Sequence, residues 1–268
     1  MVYPGGRSYG VRVKTTSLAN QKGGVGKTTT TINVGAALAE SGRRTLLLDL
    51  DPQGHLTDAC GLPESTEPAT LAAAMLMDGG ALTLAHVRAL ITPWRHNLDV
   101  IPTHLDMFRL ERQLYRARGA EYRLQTIVDL LAESGDYEHI LIDCPPSLGV
   151  LTDNALVVSD DLLIPVQSED STFRALRLLL NQLAAVMAEL RTDVSIRGMI
   201  VNLYDKRRGS VVATALETLH SMPIGILGTV PDRAVIREAW RAGQPVIEYA
   251  PDSDAAAVFR ELATAVVA

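Results

Sequence analysis

Aromatic residues make up only 4% of this 268-residue chain, although 47% of it is hydrophobic. Its core must therefore be built from Leu, Val, Ile and Ala, which suits helices packed on a parallel sheet. Cysteine is nearly absent: Cys60 and Cys144 are too few for a disulfide framework or a four-thiolate zinc site. A cytosolic setting is the expectation. No run of about 18 apolar residues occurs, so no membrane span is expected. Residues 1–14 carry Pro4, Gly5, Gly6 and several charges without an apolar stretch, so a secretory leader is not expected either. Positive charge is not in excess. A formal net charge of −6 excludes a globally basic nucleic-acid binder but leaves room for a local basic patch.

What is present is alternation. Strand-like apolar runs cover 13–19, 45–50, 98–101, 139–143, 161–166, 194–202 and 224–230. Helical stretches at 28–40, 105–118, 122–133, 172–190 and 211–220 lie between them, and a last one covers 255–267. This order predicts an α/β fold: a doubly wound, mostly parallel sheet flanked by helices. Residues 1–10 are expected to be a flexible head and 11–268 a single domain. An irregular insert, punctuated by Pro63, Pro68, Gly79 and Gly80, spans about 61 to 96. No internal repeat stands out.

Chemistry concentrates in Asn20-Gln21-Lys22-Gly23-Gly24-Val25-Gly26-Lys27-Thr28-Thr29-Thr30, between a strand and a helix. A phosphate-binding loop needs that setting, because glycines let successive N–H groups turn toward one anion at a helix N-terminus. Lys27 would reach the terminal phosphates and the Thr28 hydroxyl would bind Mg²⁺. The other reading is a glycine-rich turn with incidental lysines. The ordinary phosphate-loop spacing needs glycine at 21, where this chain has Gln21, and a second lysine, Lys22, follows.

Two further strands end in acids. Leu46-Leu47-Leu48-Asp49-Leu50-Asp51-Pro52-Gln53-Gly54 puts Asp49 and Asp51 on one side at the carboxyl end, where doubly wound sheets bind ligands. A polar strand end capping a turn would look the same. His139-Ile140-Leu141-Ile142-Asp143-Cys144-Pro145-Pro146 has the form of a Walker B element, whose carboxylate organises the shell of Mg²⁺. Further on, the amide of Asn202 suits an adenine edge, though it could equally cap its strand. Lys206-Arg207-Arg208 follows a strand end, and Arg237 and Arg241 lie four apart on one helical face. These charges read either as a basic patch or as solvated surface.

Lys-Gly-Gly-Val-Gly-Lys-Thr at 22–28, Asp-Leu-Asp-Pro-Gln-Gly at 49–54 and Asp-Cys-Pro-Pro-Ser-Leu-Gly at 143–149 together resemble the ParA/Soj-like partition ATPases of the ParA/MinD group. The likeness runs from about residue 13 to 265 and includes 147–156 and Ile164-Pro165-Val166-Gln167. It implies that Gly23, Gly24, Val25, Gly26, Lys27, Thr28 and Thr29 bind ATP, with Lys22 reaching a partner's nucleotide across a dimer. By the same resemblance Asp51 orients the attacking water and Asp49 holds a water on Mg²⁺, beside Thr28 and Asp143. Asn202 and Pro231 fall in the base-binding region. Arg233 stands where relatives have asparagine, a departure from the pattern.

The resemblance further implies an ATPase of the short kind, without an N-terminal DNA-binding module, in the cytoplasm and associated with the nucleoid. ATP would drive a homodimer that binds double-stranded DNA without sequence preference, through Lys206, Arg207, Arg208, Arg237 and Arg241. A ParB-like centromere-binding protein would stimulate hydrolysis and reset the cycle. The alternative is a MinD-like regulator on membranes, which the tail disfavours because 261–268 holds no basic residue. An iron–sulfur role for Cys144 is disfavoured because such clusters need more cysteines in another setting.

Overall fold

A computed structural model describes residues 13–62, 69–169, 171–190, 192–205, 207 and 209–267. The head expected over 1–10 lies outside the described residues, as do Lys206 and Arg208. Among the described residues eight strands form one sheet: β1 Lys14–Leu18, β2 Thr45–Asp49, β3 Thr92–Arg95, β4 Leu98–Ile101, β5 His139–Asp143, β6 Asp161–Gln167, β7 Ser195–Tyr204 and β8 Ile226–Pro231. Their order is β3-β4-β2-β5-β1-β6-β7-β8. Every neighbouring pair is parallel except β3 with β4. The expected doubly wound α/β fold is the observed one.

Strand alternation divides the core. Leu46, Leu48, Ile140, Ile142, Leu162 and Ile164 pack on one face with helices Arg123–Ser134, Val150–Val158 and Ser171–Leu190. Leu47, Leu141, Leu163 and Ile200 pack on the other, under helices Lys27–Glu40 and Asp254–Val267. A strand buried on both faces reads as a continuous apolar run, as 45–50 and 139–143 do. Helix Lys27–Glu40 lies close on β2, because a Cβ at Gly35 would fall 2.5 Å from Leu47 Cδ2.

The register decides where the chemistry sits. Leu18 pairs with Asp143, and Asp143 pairs with Asp49. The ends of β1, β5 and β2 are thus aligned, which brings the start of the loop and two acids side by side.

Three parts of the chain depart from the sequence reading. The insert at 61–96 holds helices Leu71–Leu76 and Leu84–Arg88 and the antiparallel edge strand β3. Each is too short to show periodicity, and Pro93 is tolerated because β3 lies at an edge. The helix Val150–Val158, within the 147–156 motif, is buried almost all round and so shows no polar face. The helix expected over 105–118 is regular only over Met107–Leu114.

Candidate functional site

Helix Lys27–Glu40 opens at Gly26, whose φ of 86° is left-handed, with no side-chain cap and no acid in its first turn. Its leading N–H groups are therefore left for an anion. Gly24 also has a positive φ, 73°, and both Gly23 and Gly24 are exposed. The base of the loop is tied to β6: Asn20 Nδ2 donates to Pro165 O at 2.7 Å, and Gln167 Nε2 donates to Gly24 O at 2.8 Å. Asn20 Oδ1 accepts from Lys22 N–H at 3.0 Å.

Lys27 is only 7% exposed. Its ammonium donates to loop carbonyls, Asn20 O at 3.2 Å and Lys22 O at 3.4 Å. Burial lowers its pKa, while Asp143, Cys144 and Asp51 act the other way. A buried cation satisfied by neutral carbonyls is well suited to an anion.

The acids lie behind it. Thr28 Oγ1 donates to Asp143 Oδ2 at 2.6 Å and Thr31 Oγ1 to Oδ1 at 3.3 Å. Burial pushes Asp143 up to about 7, against the opposing effects of the Thr28 hydrogen bond and the Lys27 charge. Asp49 is fully buried and accepts from Thr57 Oγ1 at 2.7 Å, Thr57 N at 2.9 Å and Asp51 N at 3.2 Å. Burial and then the neighbouring Asp143 push it up to about 8. Asp51 Oδ1 accepts from Gln53 N at 2.9 Å, which fixes the carboxylate at the turn. Two acids aligned on neighbouring strands beside one lysine fit a hard divalent cation held by Thr28 with outer carboxylates.

Lys22 does not point at the position of Lys27. Its ammonium donates to Gln167 Oε1 at 3.2 Å and forms an ion pair with Glu169 in its own chain.

Asn202 sits beneath the loop. It is 3% exposed, and its Nδ2 donates inward, to Val25 O at 2.9 Å and Thr30 Oγ1 at 3.1 Å. A Cβ on Gly26 would lie 2.8 Å from that nitrogen. Asn202 is thus a strut under the loop. Its position follows from the register of β6 and β7, which pairs it with Gln167. Pro231 ends β8 opposite Tyr204. Arg233 turns away to Asp254, with Nε at 2.9 Å and Nη2 at 2.6 Å from Oδ2.

Two of the described basic candidates have acidic partners. Both Nε and Nη2 of Arg207 bond Asp205, each at 2.9 Å, and Arg237 bonds Asp232 at 2.6 Å. Arg241 is exposed at the end of helix Ala234–Arg241.

Sequence reasoning missed Thr57, Thr31, Gln167 and Glu169. Gln167 was visible within Ile-Pro-Val-Gln at 164–167, but only the fold shows that β6 runs beside the loop.

A family model described as an AAA domain matches residues 13–196. The chain is 36% identical over 256 residues to the sporulation initiation inhibitor protein Soj of Bacillus subtilis, covering 95% of this chain and 98% of that one. It is 35% identical over 234 residues to the chromosome partitioning protein ParA of Caulobacter vibrioides, covering 87% and 86%. Among solved structures, cobyrinic acid a,c-diamide synthase from Mycobacterium smegmatis, with a bound ATP analogue and magnesium, superposes with a TM-score of 0.79. That protein is 31% identical, with 95% of this chain and 94% of the other covered.

Proposed function

On the premise that the chain belongs to the Soj/ParA family of partition ATPases, we propose that it binds and hydrolyses ATP with Mg²⁺ to switch a DNA-bound dimer on and off. The observation that carries this is the convergence of Lys27, Thr28, Asp51 and Asp143 at the strand ends beneath an uncapped helix N-terminus.

Each residue has a part. The N–H groups from Gly23 to Thr29 hold phosphate oxygens, and Lys27 exchanges its loop carbonyls for them. Thr28, backed by Asp143 and Asp49, holds Mg²⁺, which when bound draws charge from the phosphate oxygens. Asp51, held by Gln53 N–H, orients the attacking water. The family's crossing lysine is Lys22. Reaching a partner's nucleotide requires it to leave Glu169, and such a partly exposed pair costs only about 0–1 kcal/mol to part.

Closed dimers bind duplex DNA without sequence preference, with Lys206, Arg207, Arg208, Arg237 and Arg241 as the candidate contacts. A ParB-like partner accelerates hydrolysis and returns the monomer. The membrane alternative is disfavoured by the last helix, Asp254–Val267. Its apolar residues Ala255, Phe259, Leu262 and Val266 are buried in the core that also holds helix Lys27–Glu40. Among the described residues no helix is long and apolar enough to cross a membrane.

The test compares wild type, Asp51→Ala and the double variants Asp51→Ala with Lys22→Ala or Gly23→Val, by light scattering, ATP turnover and duplex binding with ATP or ADP. Asp51→Ala keeps ATP and accumulates DNA-binding dimers without turnover, and both double variants stay monomeric. Normal turnover in Asp51→Ala, or equal DNA binding with both nucleotides, refutes this reading.

A further inference from the structure

The segment 105–118 carries an unusual surface for a chain of net charge −6. Helix Met107–Leu114 buries Met107, Leu110 and Leu114, and its path continues through a tighter turn, with Arg116 N bonding Gln113 O at 3.2 Å and Ala117 N bonding Leu114 O at 2.8 Å. Arg109, Arg112 and Arg116 are therefore spaced three and four residues apart on the outward side. All three are exposed, and their guanidiniums have no hydrogen-bond or ion-pair partner among the described residues. This contrasts with Arg207, Arg233, Arg237 and Arg260, each paired with an acid.

The acids of this segment are turned elsewhere. Asp106 accepts from Thr70 Oγ1, and Glu111 lies beside Gly149, where an added Cβ would stand 3.2 Å from its Oε1. Phe108 and Tyr115, seven apart, border the arginine row at 43% and 69% exposure, and Leu105 precedes it at 69%. With Tyr122, these are four of the eight large apolar side chains exposed among the described residues. Solvated charge alone does not explain such a concentration of apolar surface.

Arginine, tyrosine and phenylalanine around a small apolar centre form the composition of protein interfaces, from which lysine is depleted. The row from 105 to 118 contains no lysine. A symmetric contact centred here would set arginines against arginines, so like charge argues against a second copy as the occupant. Phosphate recognition alone gives no reason to expose Leu105, Phe108 and Tyr115. We propose that this face docks an acidic protein segment bearing apolar anchors, with its carboxylates on Arg109, Arg112 and Arg116 and its anchors beside Phe108 and Tyr115. The occupant would also touch the nucleotide end of the fold. Tyr115 Oη lies 3.4 Å from where a Cβ on Gly149 would be, in the loop that follows Asp143. The docking surface stands without the partition reading, which concerns other residues.

A random peptide library displayed on phage and panned on the full chain tests this, with the charge-reversed variant Arg109→Glu/Arg112→Glu/Arg116→Glu panned in parallel. Enriched peptides are resynthesised and titrated by fluorescence anisotropy. Wild type should select acidic peptides with Leu or aromatic anchors. Their affinity should fall at least about tenfold on charge reversal and about threefold or more with Tyr115→Ser, as for contacts at the centre of an interface. The substituted side chains are exposed, so ATP affinity should be unchanged, and its loss would report on the nucleotide site instead. The proposal is overturned if the selected peptides are not acidic, or if they bind the charge-reversed variant equally well. It is also overturned if charge reversal removes duplex DNA binding, or an ATP-dependent dimer, while sparing the peptides.

Discussion

At the phosphate loop, the groups of opposite sign come from different elements, the cation from the start of a helix and the acids from the ends of two strands. Lys27 rests on backbone carbonyls, and Asp143 and Asp49 sit behind it with hydroxyl and amide partners. At the border formed by 203–205, 207 and 231–241, Arg207 and Arg237 have their acids two and five residues away, at Asp205 and Asp232, while Arg233 bonds Asp254 at the start of the last helix. The first arrangement leaves charge waiting for a ligand, and the second has already neutralised much of its own. Residue type alone does not separate the two. What separates them is whether the counter-charge is local or is held apart by the sheet.

The largest expected effect breaks the first region. On the reading proposed above, Lys27→Ala removes a buried cation that would meet the phosphates, so ATP affinity should fall by about 100-fold or more, as for loss of a charge-assisted contact in a desolvated site. Calorimetric titration of ATP into wild type and variant measures it. Affinity within a few-fold of wild type would show that the loop amides alone hold the nucleotide.

An intermediate effect tests the strut beneath the loop. Asn202→Ala removes donations to Val25 O and Thr30 Oγ1, both in a buried setting. Unfolding stability should drop by about 1–3 kcal/mol. Gly26→Ala should cost a similar amount, about 1–3 kcal/mol, because its φ is 86° and its new Cβ would meet Asn202. The sharper measurement is nucleotide choice. A strut weakens ATP and GTP alike, whereas an amide that reads the base would lose its preference for ATP when removed. Selective loss for ATP in Asn202→Ala would return that residue to the base site.

Why the loop was legible and the strut was not has a physical reason. Lys22 to Thr29 are contiguous, so their placement follows from one turn and one helix start. The acids at 49, 51 and 143 each end an apolar run, and parallel alignment of strand ends makes the sequence order sufficient to bring them together. Asn202 and Gln167 act through the register between β6 and β7 and the place of β6 beside β1, which no local pattern states. The helix Val150–Val158 was illegible as a helix for another reason, since burial on all sides erases the polar face that periodicity needs.

The smallest expected effect sharpens the second region. A lone exposed arginine contributing to duplex binding should flatten the slope of log affinity against log salt by about 1 per contact when removed. Arg207 begins with its charge shared with Asp205, and to meet a phosphate it must give up two hydrogen bonds of 2.9 Å each. Arg207→Ala should therefore weaken ATP-dependent duplex binding by only about two- to threefold and change the slope by less than about 1 per protomer. Asp205→Asn should act in the opposite direction, strengthening binding by a similar factor because it releases the guanidinium without removing it. Filter binding across a salt series, with both variants in ATP, resolves the pair. A large loss in Arg207→Ala with no gain in Asp205→Asn would mean that the ion pair itself is the DNA-binding element, with Asp205 orienting the guanidinium, and the contrast between paired and waiting charge would fail there.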